Sequence, residues 1–164
     1  MKQLIILAAL ALPACAKAAP PLPDGPPFDP IAFFTGTSHG DATLAQIMKS
    51  ERRVTVESRG QMGTDGWLTL NQHIVTESDK PRDRSWKLRK VGAGHWTGTL
   101  TDAVGPVDAV ADGGGVRIGY TMKGGLKVEQ TLMPIAGRPA LDNHLYVTKF
   151  GVQLAHLHEI IAKR

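Results

Sequence analysis

The chain of 164 residues has a single cysteine, Cys15, so no disulfide can form within it. Packing must therefore hold the fold even in an oxidising compartment. Aromatic residues are scarce at 5%, while hydrophobic residues reach 42%, so any core is filled chiefly by aliphatic side chains. The apolar run Leu4–Leu12 falls far short of the roughly 20 residues that a membrane-spanning helix needs. No H-E-x-x-H or phosphate-cradling loop occurs. The signatures of zinc proteases and nucleotide enzymes are thus missing, and the sequence itself assigns no cofactor.

What the N-terminus does contain is an address. Met1-Lys2-Gln3 gives a positive start, Leu4–Leu12 an apolar run, and Leu12-Pro13-Ala14-Cys15 a small-residue end. Together they read as a signal peptide over residues 1–14. The last four resemble a bacterial lipobox, with Pro13 departing from its usual small or β-branched residue, and the expectation is lipidation of Cys15. Ordinary cleavage after Ala16-Lys17-Ala18, giving a soluble periplasmic protein, is the alternative. Ala16 is not the Asp that resembles an inner-membrane retention signal, so the expected location is the outer membrane, facing the periplasm. The anchor makes the membrane a partner. The formal charge of +4 and pI near 9.4 would suit nucleic acid, but export removes that partner, and the basic residues are better matched to solvated strand faces and anionic headgroups.

Residues 15–30 form a lipidated, proline-rich tether. Extended polyproline geometry, at ~3.1 Å per residue, gives it a reach on the order of 45 Å. Phe28 is placed to dock on the domain that follows.

Residues 31–164 read as one domain of consecutive strands. Val116, Ile118, Tyr120 and Met122 alternate with Arg117, Gly119, Thr121 and Lys123; Leu126, Val128, Gln130 and Leu132 alternate with Lys127, Glu129 and Thr131. Leu141, Asn143, Leu145 and Val147 lie opposite Asp142, His144, Tyr146 and Thr148, and Leu68, Leu70, Gln72, Ile74, Trp86 and Leu88 follow the same rule. Turn chemistry separates the strands at Gly63–Gly66, Asp79–Pro81, Gly92–Gly94, Asp112–Gly115, Gly124-Gly125 and Gly137–Pro139. The pattern predicts an all-β, antiparallel up-and-down barrel of nine or ten strands with no convincing helix. Val152–Ile161 is ambiguous, since its apolar spacing would suit a helix.

The candidate ligand-binding residues are Arg84, Trp86, Trp96, Tyr120, Met122 and Trp67. Arg84 stands two residues before Trp86 and shares its face, from which a guanidinium could grip a carboxylate by a two-point fork. A cation–π contact or a salt bridge at the barrel end is the structural alternative. Trp96-x-Gly98 suggests a ring packed over a glycine, and Asp102 a turn cap. Six histidines are present. His156 and His158 would share a face in a strand, but His39, His73, His95 and His144 lie on separate strands without ligand spacing, so no metal site is expected.

Phe33-Phe34-Thr35-Gly36, Arg84–Leu88, Trp96-Thr97-Gly98, Thr101–Gly105, Tyr120 and Thr148–Val152 occur in an order that resembles domain-of-unknown-function family 3833, lipocalin-like proteins often predicted to be lipoproteins. The resemblance covers nearly all of residues 30–164. It implies a lipocalin-like barrel, export, and a closing strand at Val152–Ile161; it brings no reaction and no catalytic residues. The chain departs from the family's pattern at Pro134–Asp142, where an acidic, aromatic stretch that could shape a ligand mouth is reduced. Three functions stay open: an envelope lipoprotein binding a lipid, fatty acid or other small apolar ligand; a structural or interaction protein of the cell envelope; and an enzyme acting on a lipid or isoprenoid. A continuous apolar cavity of about 300 Å³ or more would favour the first.

Overall fold

From Gly36 onward, the two-residue alternation decides which side of a single wall each side chain faces. The computed structural model describes Leu22, Asp24, Gly25 and residues 28–164. The expected signal peptide, Cys15 and most of the tether lie outside the described residues. Ten strands follow in chain order: β1 (Gly36–Gln46), β2 (Arg52–Met62), β3 (Leu68–Thr76), β4 (Arg82–Gly92), β5 (His95–Leu100), β6 (Val107–Asp112), β7 (Gly115–Met122), β8 (Leu126–Pro134), β9 (Ala140–Lys149) and β10 (Val152–Lys163). Each pairs with its chain neighbours, and β1 also pairs with β10, so the sheet closes into a barrel. The closing seam is antiparallel and runs from Ser38 opposite Lys163 to Gln46 opposite Ala155. Closure leaves no strand edge unpaired.

The ambiguous last segment is β10, a strand, with a register shift between Gln153 and Ala155. Pairing with both β9 and β1 decides this: twelve residues whose backbone groups are met on two sides gain more as a strand than a lone helix would.

Inward side chains form one large apolar cluster around Leu68, Leu70, Trp86, Leu88, Trp96, Ile118 and Leu132. A smaller one comprises Ala42, Val54, Val56 and Ile74. Burying a Leu or Val side chain contributes roughly 1.5–3 kcal/mol, so these clusters supply the cohesion that a disulfide cannot.

Two expectations of the sequence need correction. A short helix, α1 (Pro30–Phe34), stands where tether and first strand were expected to meet. The Asp29 carboxylate accepts a hydrogen bond from the Ile31 amide at 2.9 Å, and Pro30 occupies the first turn, where its missing N–H costs nothing. Phe28 does dock, edge-on to Phe33 with ring centroids 5.9 Å apart. Gly98 is required by backbone rather than by the Trp96 ring: a Cβ there would lie 1.8 Å from the Lys87 carbonyl oxygen of β4.

The barrel has two unlike ends. At one, α1 inserts Phe34, which is 8% exposed, and Lys163 of β10 donates from its ammonium to the carbonyls of Phe33 and Thr35. Gly60 lets the helix sit against β2, since a Cβ there would lie 1.8 Å from the Phe34 carbonyl oxygen. The opposite end is ringed by the turns that follow β1, β3, β5, β7 and β9. Pro134–Asp142 leads through the turn at the plugged end, so its reduction does not alter the open one.

Candidate functional site: the barrel interior

A barrel widens with strand number, and about eight strands already enclose just enough room for side chains. Ten strands with few aromatics leave space. The interior contains a cavity of about 470 Å³ extending from Pro30 and Phe34 of α1 to Ile47, Lys49, Thr76, Arg82 and Leu154 at the open end. Its walls are mainly aliphatic, with Val54, Val56, Leu70, Ile74, Ile118, Leu145, Val147 and Leu157 among them. The volume falls in the range of about 300–1,000 Å³ usual for small-molecule sites.

Of the six candidates, Arg84, Trp86, Trp96, Tyr120 and Met122 line this cavity. Trp67 does not. It sits in the turn before β3 and packs beneath the Arg89 guanidinium, 4.7 Å from the ring centroid, on the outer surface. The alternation itself excludes it, because its neighbour Leu68 takes the inward position.

Arg84 is the main polar feature of the wall. Nε and Nη2 both donate to Oε1 of Gln72, at 3.1 and 3.0 Å. The same oxygen accepts from Nε1 of Trp86 at 2.7 Å. The guanidinium lies 5.2 Å from the centre of the Trp86 ring, and that ring meets Tyr120 edge-on at 5.6 Å. Among the described residues no carboxylate is within ion-pair distance of Arg84. Burial pushes its pKa down, opposed first by the Tyr120 phenol. Tyr120 is pushed up by its own burial, with Arg84 acting the other way. Of the two structural alternatives for Arg84, the cation–π contact exists, while the salt bridge at the barrel end belongs to Arg82, whose Nη1 is 2.9 Å from Oδ2 of Asp102. Asp102 is therefore an ion-pair partner, not the expected turn cap.

A second polar group, which the sequence reading did not single out, crosses β8, β9 and β10. Gln130 donates to Oδ1 of Asn143 at 2.9 Å, and Asn143 donates to Oε2 of Glu159 at 2.6 Å. All three residues are buried and line the cavity. Burial raises the Glu159 pKa despite the Asn143 hydrogen bond, which favours the carboxylate. Gly40 makes room for this group, since a Cβ there would lie 1.8 Å from Oε1 of Glu159. Asn143 and Gln130 were legible as inward from the alternation; Glu159 was hidden by the ambiguity of β10. Oε1 of Gln130 has no hydrogen-bond partner among the described residues.

The rim of the open end is unusual for a soluble surface. Met48 is 99% and Phe150 94% exposed, and Ile47 and Val104 follow them as the most exposed large apolar residues. Met48 and Phe150 hold left-handed backbone, at φ 60° and 51°, a conformation that costs a non-glycine residue roughly 1–2 kcal/mol. Their turns are adjacent, joined by the Ile47 amide donating to the Leu154 carbonyl at 2.9 Å. Lys49, Lys80, Lys123 and Lys149 stand around the same rim. Its carboxylates are Glu51, Glu77, Asp79 and Asp102; Asp79 is tied to Arg52 at 2.6 Å and Asp102 to Arg82.

A closed antiparallel barrel with a plugged base and an apolar interior defines a lipocalin-like protein. The chain belongs to the family described as "Protein of unknown function (DUF3833)", whose model matches residues 9–163. No curated protein matches it. Among solved structures it is similar to the S-type phycobiliprotein lyase CPES from Guillardia theta, with a TM-score of 0.61 and 7% identity over 82% of this chain and 90% of that one. A redesigned β-barrel also matches, with a TM-score of 0.42 and 10% identity over 82% of this chain and 94% of the other. At 7% identity the likeness to the lyase is one of fold.

Proposed function

We propose that this protein binds one amphipathic molecule, an apolar chain bearing a carboxylate of the fatty-acid type, inside its barrel. The observation that carries this reading is Arg84: a cation on the wall of an apolar cavity, with no carboxylate of the described residues within ion-pair distance, Asp102 and Glu159 acting on it only through space. A buried arginine fork suits a ligand carboxylate, and the aliphatic walls suit its chain. The apolar, lysine-bearing rim supports uptake from an anionic membrane surface, near which the expected lipid anchor at Cys15 would keep the protein.

Gently purified protein should release such a molecule into an organic extract read by mass spectrometry, and should take up a fluorescent fatty acid that natural fatty acids displace. A barrel that is repeatedly empty and takes up no probe removes the proposal and favours the envelope scaffold.

A further inference from the structure

The outer wall across β9 and β10 carries a second concentration of chemistry, separate from the cavity. Outward alternation puts Asp142, His144 and Tyr146 on β9, and His156 and His158 on β10. The register sets His144 opposite His158 and Tyr146 opposite His156. The rings form a near-parallel stack: His144 and His158 have centroids 4.4 Å apart at 7°, and Tyr146 and His156 4.5 Å at 14°.

Within the stack, three donor atoms converge. Nε2 of His158 lies 2.9 Å, and Nε2 of His144 3.3 Å, from the same oxygen, Oδ1 of Asp142. All three ligand atoms lie within 4.8 Å of one another. Metal–ligand bonds of about 2.0–2.2 Å put neighbouring donors about 3.3–3.6 Å apart at tetrahedral angles and about 2.8–3.1 Å apart at right angles. The two measured edges match these spacings. Behind the site, Nδ1 of His144 is 3.1 Å from Nε2 of His156, a contact of the kind that fixes the tautomer and direction of a ligating imidazole. Opposite the histidines on the flanking strands stand the uncharged Thr43 and Ala45 of β1 and Thr131 of β8, while Glu129 of β8 lies opposite Tyr146.

We infer that Asp142, His144 and His158 form a binding site for one divalent transition-metal ion of the zinc type, with His156 as its positioning residue. Two imidazoles and one carboxylate suit zinc and its neighbours; magnesium and calcium call for oxygen donors. Coordination through Nε2 places the His144 proton on Nδ1, where His156 accepts it. It also turns the His158 ring, the more exposed of the two, out of the stack so that its lone pair meets the ion. Three protein ligands leave a coordination position open to solvent.

The test uses the full chain carrying Cys15→Ser, which removes its only thiol, stripped with EDTA and desalted. Calorimetric titration with Zn²⁺ at neutral pH should show one ion per chain, and Co²⁺ should give the visible absorption of a four-coordinate site. His144→Ala/His158→Ala and the shape-conserving Asp142→Asn should abolish both signals. His156→Ala should weaken binding by about 10–100-fold. His73→Ala, at the separate His73–Asp83 pair 2.8 Å apart, should leave both signals unchanged. Circular dichroism of each chain reports whether the barrel is intact. Absence of stoichiometric Zn²⁺ binding, or equal binding by a folded double variant, overturns the inference.

Discussion

The two ends of this barrel are made by the same ten strands and end in opposite chemistry. At the plugged end, α1 is capped by Asp29, held by Lys163 and seated against Gly60, and its Phe34 is withdrawn from water. At the open end, Met48 and Phe150 are pushed into water on left-handed turns, with the Lys149 ammonium 5.4 Å from the centre of the Phe150 ring. Stability is thus invested where the interior must be sealed, and strain is tolerated where the interior must be reached. The proposed ligand needs this asymmetry, because a cavity closed at both ends admits nothing.

The largest expected effect lies at the seal. Phe34→Ala should lose about 3–5 kcal/mol in equilibrium urea unfolding, as other deletions of a buried ring do. A loss below ~1 kcal/mol would make the helix an ornament and erase the contrast between the ends. Arg84→Met probes what the open end serves. Fatty-acid affinity should drop by on the order of ten- to a hundredfold, matching the ~1.5–3 kcal/mol of a charged hydrogen bond. Folding stability should hold or rise, because a buried cation is gone. Unchanged affinity would detach Arg84 from recognition.

Glu159 gives a pH signature of the polar interior. Its folded pKa is raised by burial above the ordinary 4.5. The stabilising contribution of its protonated form is therefore complete below that value and is lost as pH rises through the folded pKa. Glu159→Gln, which keeps an oxygen for Asn143 to donate to, should therefore gain stability relative to the parent as pH climbs from about 4.5 to neutrality. A parallel pair of stability–pH curves would show that the carboxylate is not penalised inside. The smallest effect on folding belongs to the rim: Met48→Ser/Phe150→Ser should stay within about 0.5 kcal/mol of the parent. Sedimentation with phosphatidylglycerol vesicles should nevertheless fall, and unchanged sedimentation would strip the rim of its membrane role.

Much of this was legible in one dimension. The alternation around Leu68–Ile74 and Val116–Met122 named the inward residues, because a strand offers only two faces. It placed Arg84 and Trp86 together inside for the same reason. It misassigned Trp67 only because its size suggested core, although Leu68 beside it had already claimed the inward face. The helix α1 escaped notice because five residues carry no periodicity, and only the Asp29 cap and Pro30 hinted at it. The Asp142/His144/His158 cluster was illegible, since cross-strand neighbours are set by register and His144 and His158 meet only when β9 and β10 align.

By itself, then, the amino-acid order determined which side chains face in and which face out, where the chain turns, and that no cystine braces it, since each of these depends on neighbours within a few residues. Whether the tenth strand would reach the first, how much empty volume the ring would enclose, and which imidazoles would stand beside Asp142 were decided in three dimensions. Those outcomes depend on strand number, shear and pairing between segments distant along the chain, and no local pattern encodes a distance across a closed ring.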